Sequence, residues 1–106
     1  MALADEKSEP VQKGSRPLTR REAETLEREV PTWSLADSRL EEEFLFKDFE
    51  EAMGFVQRVA RIAQEEDHHP DIEVSYNKVR LVLTTHKIGG LSRNDFIVAA
   101  KIERLL

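Results

Sequence analysis

The sequence feature that most constrains the fold is a helix-start signature that occurs three times. A residue able to cap a helix is followed three positions later by an acid, and the pairs are Thr19 with Glu22, Asp48 with Glu51, and Ser92 with Asp95. In a capping box the first side chain accepts a hydrogen bond from the backbone N–H three residues on, and the acid accepts one from the N–H of the cap. The spacing therefore predicts three helices, with chain between them for strands.

The middle helix, "DFEEAMGFVQRVARIAQEED", has the widest apolar stripe. At helical spacing its apolar side chains form two neighbouring rows, one of Phe49, Met53, Val56, Ala60 and Ala63 and one of Ala52, Phe55, Val59 and Ile62. A stripe of this width is more than a surface helix needs to cover one sheet. It is compatible with a helix that faces both a sheet and a partner.

Strand patterns occupy the chain between the helices. Period-two alternation and β-branched runs predict strands at "TWSLA", "LEEEFLF", "DIEVSY" and "VRLVLTTH". The element order is then α-β-β-α-β-β-α. Two hairpins separated by a long helix predict an α+β, single two-layer domain in which an antiparallel sheet carries the helices on one face.

The start of the chain differs in composition from the rest. Residues 1–17 contain Pro10, Gly14 and Pro17 with mixed charges and few apolar groups, which predicts a flexible N-terminal tail. The folded domain is expected over residues 18–106. A chain of 106 residues can form one core of modest size, to which oligomerisation could add burial.

Composition narrows the possible functions. The net charge is −5 and no cluster of Lys and Arg dominates one segment, which disfavours direct binding to nucleic acid. The chain has no cysteine, so disulfides, thiol nucleophiles and cysteine-ligated metal sites are excluded. No apolar run approaches bilayer length, and "MALADEKSEPVQKGSRP" lacks the apolar core of a secretory signal. A cytoplasmic protein without a membrane segment is the expectation.

All three histidines lie within 19 positions, at His68, His69 and His86. An imidazole titrates near neutral pH, so it can donate or accept a proton in the physiological range. Two or three imidazoles together can protonate one atom of a substrate while deprotonating another, as a dehydration requires. Asp67 and Asp71 flank the first pair and could orient an imidazole through its second nitrogen.

The second hairpin offers a geometric reason for this clustering. If residues 77–78, Asn-Lys, form the loop, Tyr76 faces Val79 and the pairs further along that face are all apolar. Continued outward, the same register puts His69 opposite His86. Directly opposed residues have Cβ atoms roughly 5 Å apart. The hairpin therefore predicts that the three histidines meet in space.

Simpler interpretations remain open at this point. His68 and His69 come at the predicted end of a helix, where a positive charge is favourable against the helix dipole. Asp95 is equally well explained as a capping acid. Three histidines could also bind zinc, although adjacent histidines diverge and no H-x-H or H-x-x-x-H spacing is present. The residues alone indicate an acid/base site or a metal site.

The stretch "DHHPDIEVSYNKVRLVLTTHKIGGLSRND" resembles the signature region of the pterin-4a-carbinolamine dehydratases, also called 4a-hydroxytetrahydrobiopterin dehydratases. The matching features are the His-His-Pro triplet, the Tyr-Asn-x-Val hairpin, the Thr-His at the end of the next strand and the Gly-Leu-Ser-x-x-Asp that opens the last helix. "PLTRREAETLEREVPTWSL" and "FLFKDFEEAMGFVQRVARIAQ" are similar to upstream parts of the family. The resemblance covers about residues 17–106.

The resemblance implies a fold, a reaction and an assembly. The fold is a four-stranded antiparallel sheet with three helices on one face, and family members assemble as homodimers or homotetramers. The reaction removes water from a 4a-hydroxytetrahydropterin to give the quinonoid dihydropterin, which recycles the cofactor of aromatic amino acid hydroxylases. It requires no metal and no organic cofactor. A non-catalytic role is the alternative, because some relatives are dimerisation cofactors of transcription factors or assembly factors.

Carried over by position, the resemblance assigns roles to the histidine region. His68 and His86 match the acid/base pair, and His69 matches a histidine that binds and orients the pterin; these three form the expected catalytic set. Asp95 matches an aspartate that supports the substrate-contacting residues and does not itself touch the substrate. The segments that match substrate contacts are Asp67, His68, His69, Thr84, Thr85, His86 and Lys87. One position departs from the family pattern, since Gln64 stands where relatives often carry an acid.

Overall fold

Three helices and four strands follow one another in the order that the sequence predicts. A computed structural model describes residues 2–106, and Met1 lies outside the described residues. The elements are α1 (Arg20–Glu27), β1 (Ser34–Ala36), β2 (Arg39–Leu45), α2 (Phe49–Glu66), β3 (Asp71–Ser75), β4 (Lys78–Leu83) and α3 (Arg93–Glu103). Two single-turn 3₁₀ helices, Leu3–Asp5 and His86–Ile88, complete them. The predicted α+β fold is confirmed.

The four strands form one antiparallel sheet in the order β1-β2-β4-β3. Alternate side chains of β2 and β4 are buried on the face that the helices cover, and they are Leu40, Phe44, Val79, Leu81 and Leu83. The opposite face is charged, where Arg80 donates hydrogen bonds to Glu41 and Glu73. The period-two pattern therefore separates a core face from an open face.

Capping interactions begin the helices as the spacing predicts. Thr19 accepts a hydrogen bond from the Glu22 N–H at 3.1 Å, and the Glu22 carboxylate accepts one from the Thr19 N–H at 2.8 Å. At α2 the arrangement is only half the expected one. Asp48 accepts from the Glu51 N–H, but the Glu51 carboxylate accepts from the Lys47 N–H instead of the cap. Each cap satisfies backbone donors that a helix start leaves free.

Helix α2 packs one of its two apolar rows into the core. Ala52, Phe55 and Val59 are fully buried, and the Phe55 ring lies 4.8 Å from that of Phe44. The other row stays partly open, since Phe49 at its start is 51% exposed. The width of the stripe thus exceeds what the core of one chain uses.

In the second hairpin, the pairing of β3 with β4 is shifted by two residues from the predicted register. Val74 pairs with Val79, so the loop consists of Tyr76 and Asn77, not residues 77–78. Tyr76 takes a left-handed backbone with φ 51° and is 64% exposed. The Asn77 amide donates to the Phe46 carbonyl at 2.9 Å, and the Phe46 N–H donates to the Asn77 carbonyl at 2.9 Å. These contacts with the end of β2 fix the turn.

The beginning of the chain differs from the flexible tail predicted for residues 1–17. Leu3 is 1% exposed and Ala4 is 8% exposed, and the 3₁₀ helix they belong to packs on α3. We call residues 3–11 the N-terminal arm. The prediction averaged composition over 17 residues, whereas two adjacent apolar residues are enough to anchor a segment that hydrogen bonds also hold.

Between residues 2 and 106, no helix combines the length and the apolar character needed to cross a bilayer.

Candidate active site

A cleft of about 500 Å³ contains all three histidines. Three short segments line it, residues 7–11, 65–69 and 84–87, together with Asn94. They come from the N-terminal arm, the end of α2, the chain after β4 and the start of α3. A volume of this size is in the range of sites that bind small organic molecules. The structure therefore brings together the segments that the sequence marks as candidate site residues.

The end of α2 positions the first two histidines. Asp67 ends the helix in a left-handed conformation, φ 52° and ψ 42°, which Asp adopts more readily than most residues. The His68 N–H then donates to the Ala63 carbonyl at 3.1 Å, closing the last turn. This exit turns the His68 ring inward, where only 12% of its side chain is exposed, and leaves His69 exposed.

His68 contacts a buried carboxylate. Its Nε2 lies 2.5 Å from Oδ1 of Asp95, a residue with no exposed surface. The other oxygen of Asp95 accepts from the Thr85 hydroxyl at 2.8 Å and from the Ser92 N–H at 2.9 Å. Asp95 is thus both the capping acid of α3 and the partner of His68. The two interpretations that the sequence left open describe one side chain.

The hydrogen bonds of Asp95 determine what His68 can do chemically. A carboxylate accepts hydrogen bonds, so it holds the Nε2–H tautomer of a neutral imidazole and leaves Nδ1 with a lone pair. The same carboxylate stabilises the imidazolium when Nδ1 accepts a proton. His68 can therefore exchange protons at Nδ1 while its ring orientation stays fixed.

His69 contacts the side chain of Gln64. Its Nε2 lies 2.7 Å from Oε1 of Gln64, one turn back on α2. An amide oxygen accepts a hydrogen bond as a carboxylate does but carries no negative charge. Gln64 can thus orient the His69 ring without adding charge to the rim of the cleft.

His86 reaches the cleft by a different route from the predicted one. In the observed register Asp71 pairs with Val82, so His86 lies beyond the end of the ladder and has no strand partner. An isolated antiparallel β-bridge pairs Thr85 with Gly90, and the 3₁₀ turn that starts at His86 forms the loop between these two residues. The histidines converge as predicted, but the β-bridge and the helix exit bring them together, and the cross-strand pairing does not.

The remaining candidate residues have different surroundings. The Thr84 hydroxyl donates to the Ser38 carbonyl at 2.7 Å, and Thr85 is buried with its hydroxyl on Asp95. Asp67 and Lys87 line the cleft and are exposed. The threonine hydroxyls therefore hold the chain in place, while the two charged side chains are open to a ligand.

Sequence reasoning missed Glu66, whose side chain is only 5% exposed at the edge of the cleft. Burial raises the pKa of this carboxyl, but the Ser8 N–H, Lys101 and Lys7 outweigh burial and hold the pKa below its usual range. In the sequence, Glu66 is one of three consecutive acids at a helix end, which is typical of a solvated surface. Its contacts with the N-terminal arm and with Lys101 of α3 distinguish it from its neighbours.

Among residues 2–106, no group of three or more His, Asp or Glu side chains is arranged to hold a metal ion.

Comparison with known proteins identifies the family. The family model described as "Pterin 4 alpha carbinolamine dehydratase" matches residues 16–105. The chain belongs to this family. The resemblance seen in the sequence is thereby confirmed, and the matched range contains His68, His69, His86 and Asp95.

Relatives and a solved structure agree with this family. A protein of Nitrosomonas eutropha, provisionally named pterin-4-alpha-carbinolamine dehydratase, is 50% identical over 105 residues, which are 98% of this chain and 93% of the relative. A Halorhodospira halophila protein with the same provisional name is 45% identical and covers 99% of this chain and 98% of its own. The chain is also similar to a crystal structure from Brucella melitensis described as a transcriptional coactivator/pterin dehydratase. That similarity has a TM-score of 0.80 and 32% identity over 85% of this chain and 98% of the other.

Proposed function

We propose that the protein is a dehydratase that removes water from a 4a-hydroxytetrahydropterin by histidine acid/base catalysis. The observation that carries the proposal is the contact between His68 and the buried Asp95 in a cleft that His69 and His86 also line. Family membership supplies the substrate class. In this function the product is the quinonoid dihydropterin, and the pathway served is tetrahydrobiopterin recycling.

The reaction needs two proton transfers and no redox step. The 4a-hydroxyl accepts a proton and leaves as water when the C4a–O bond breaks. The N5–H bond gives up its proton, and its electron pair forms the C4a=N5 double bond. One of His68 and His86 donates the first proton and the other accepts the second, since imidazole performs both roles near neutral pH. The atoms balance without a metal or an organic cofactor.

The other cleft residues bind and position the pterin in this proposal. His69, oriented by Gln64, contacts the ring system beside His68. Asp67 and Lys87 provide charged contacts, and Thr84 and Thr85 hold the segment that carries His86. A flat heterocycle with several N–H and C=O groups suits a cleft lined by donors and acceptors from three segments.

Substitution of the histidines tests the proposal. We expect His68→Ala and His86→Ala each to lower kcat for dehydration of a 4a-hydroxytetrahydropterin by roughly a hundredfold, the usual contribution of a positioned acid or base. The reaction is followed by the loss of the absorbance of the 4a-carbinolamine. Arg20→Ala, which removes only an exposed ion pair with Glu24 on α1, is the control. Full activity in both histidine variants would refute the assignment.

A second candidate function is binding to other protein chains, either a second copy or a partner. Strand β3 is an edge strand, and Ile72, Val74 and Tyr76 on it and its turn are 37%, 36% and 64% exposed. An exposed strand edge with apolar side chains is a template for pairing with another chain. We propose a homodimer or homotetramer that uses this edge and the open row of α2. Light scattering of the native protein and of Val74→Lys tests it, and a native monomer contradicts it.

A further inference from the structure

The N-terminal arm lies in the same cleft as the histidines. Residues 7–11 line the cleft next to His68, His69 and His86. The family model starts at residue 16, after the arm has ended. The dehydratase chemistry described above uses none of these residues. A segment at this position can contact a ligand in the cleft.

The first part of the arm is anchored away from the cleft. Leu3 is buried against α3, and Glu6 accepts two hydrogen bonds from the Arg93 guanidinium at 2.8 and 2.7 Å. Arg104 adds a further hydrogen bond to Asp5 at 3.0 Å. Paired hydrogen bonds between a carboxylate and a guanidinium fix direction as well as distance. These contacts determine where the arm enters the cleft.

The second part of the arm is bound to the helix ends that carry the histidine site. The Ser8 N–H donates to Glu66 at 2.8 Å, two residues before His68. The Asn94 side-chain amide forms two hydrogen bonds with the Glu9 backbone: it accepts one from the Glu9 N–H at 3.1 Å and donates one to the Glu9 carbonyl at 2.7 Å. Asn94 directly precedes Asp95, the partner of His68. The arm is thus attached to α2 and α3 at the positions that hold His68 in place.

We propose that the N-terminal arm is a substrate-binding element, which forms part of the cleft surface that contacts the pterin and sets its affinity. The proposal rests on the function proposed above and extends it to residues 7–11. Pro10 and Val11 offer apolar surface to a flat ring, while the backbone of Ser8 and Glu9 is already fixed and costs little entropy on binding. The proton transfers remain with the histidines, so the arm affects binding more than chemistry.

A charge exchange at the anchor tests the arm without altering a cleft residue. Glu6→Arg and Arg93→Glu each place like charges at the anchor, and the double variant restores an opposite pair in reversed order. We expect each single variant to raise KM about fivefold with kcat within about twofold of the native value, and the double variant to recover most of the KM. Hydrogen exchange at the Ser8 and Glu9 amides reports whether the arm is released.

A binding measurement separates this proposal from the catalytic one. Biopterin is fluorescent and has no 4a-hydroxyl, so its dissociation constant can be measured by fluorescence titration without turnover. We expect the single variants to bind biopterin about fivefold more weakly, in step with KM. Arg20→Ala again serves as the control, with unchanged binding.

The possible outcomes have distinct meanings. Faster exchange at Ser8 and Glu9 with unchanged KM and unchanged biopterin affinity overturns the role of the arm and leaves the dehydratase proposal intact. Weaker biopterin binding in a chain that does not dehydrate the carbinolamine supports the arm and overturns the dehydratase. A parallel fall in kcat and thermal stability, without a change in biopterin affinity, indicates a structural role and also contradicts the proposal.

Discussion

Asp95→Asn is the most informative single substitution, because it replaces one oxygen of a buried carboxylate that His68 depends on. The Ser92 N–H is a fixed donor, so the amide oxygen of the substituted side chain has to face it and the Thr85 hydroxyl. The amide NH₂ group then faces Nε2 of His68, where a carboxylate oxygen lies at 2.5 Å in the native protein. A donor at that point requires a lone pair on Nε2, which moves the ring proton to Nδ1. His68 then presents an N–H to the cleft in place of a lone pair.

The magnitude follows from the hydrogen bond that is lost. A hydrogen bond to a charged partner contributes about 1.5–3 kcal/mol. If that interaction stabilises the imidazolium in the transition state, its loss lowers kcat by roughly ten- to a hundredfold. Folding stability also falls, by about 1–3 kcal/mol, because the buried network loses its charge. KM changes little, since Asp95 does not line the cleft.

The assay compares kcat and KM for dehydration of a 4a-hydroxytetrahydropterin, with urea unfolding to measure stability. Asp48→Asn is the matched control, because it makes the same chemical change at the cap of α2 and Asn caps helices as well as Asp does. The reasoning is refuted if Asp95→Asn folds and keeps kcat within about twofold of the native enzyme.

Two further predictions concern pH and the core. Burial and then the neighbouring Glu103 raise the pKa of Glu42 to about 8, well above its ordinary value of 4.5. Its folded state therefore binds the proton more tightly, and stability is lost as pH rises from about 4.5 to about 8. Glu42→Gln should accordingly unfold at a higher temperature than the native protein at pH 8, and the difference in unfolding temperature should be smaller at pH 5. An equal difference at the two pH values contradicts the argument. Phe55→Ala should cost about 3–5 kcal/mol in urea unfolding, since the ring is fully buried between Phe44 and Phe46, and a loss below about 1 kcal/mol would show that the core collapses around the gap.

Local rules predicted the elements well because each depends on neighbours in sequence. Thr19 and Glu22 form their capping box within one turn, and the alternation in β4 separates the core face from the open face without reference to other elements. Such features need no knowledge of distant contacts, which is why the α+β arrangement is readable from the sequence.

The hairpin turn could not be predicted in the same way. Asn77 marks a turn in the sequence, but its position within the loop depends on the Phe46 backbone, 31 residues away. The predicted register was shifted by two residues, an even number, so every side chain stayed on its correct face. The prediction that the histidines meet survived because the loop between Thr85 and Gly90 brings His86 back toward the end of α2.

The long-range contacts around the site could not be predicted from the sequence either. The resemblance assigned Asp95 a supporting role, but the residue that it supports, His68, is known only from the contact between Nε2 of His68 and Oδ1 of Asp95. The N-terminal arm has the composition of a disordered segment, and its contacts with Glu66 and Asn94 join residues 58 and 85 positions apart. No periodicity in the sequence signals contacts of that kind.

The central claim is that imidazoles from the end of α2 and from the turn after β4 act on one bound pterin. The most direct test measures kcat/KM for the dehydration of a 4a-hydroxytetrahydropterin by the native chain and by His68→Ala/His86→Ala. We predict a loss of roughly ten-thousandfold in the double variant, the product of two independent hundredfold acid/base contributions, with retained fold. A double variant that dehydrates the carbinolamine at the native rate contradicts the account.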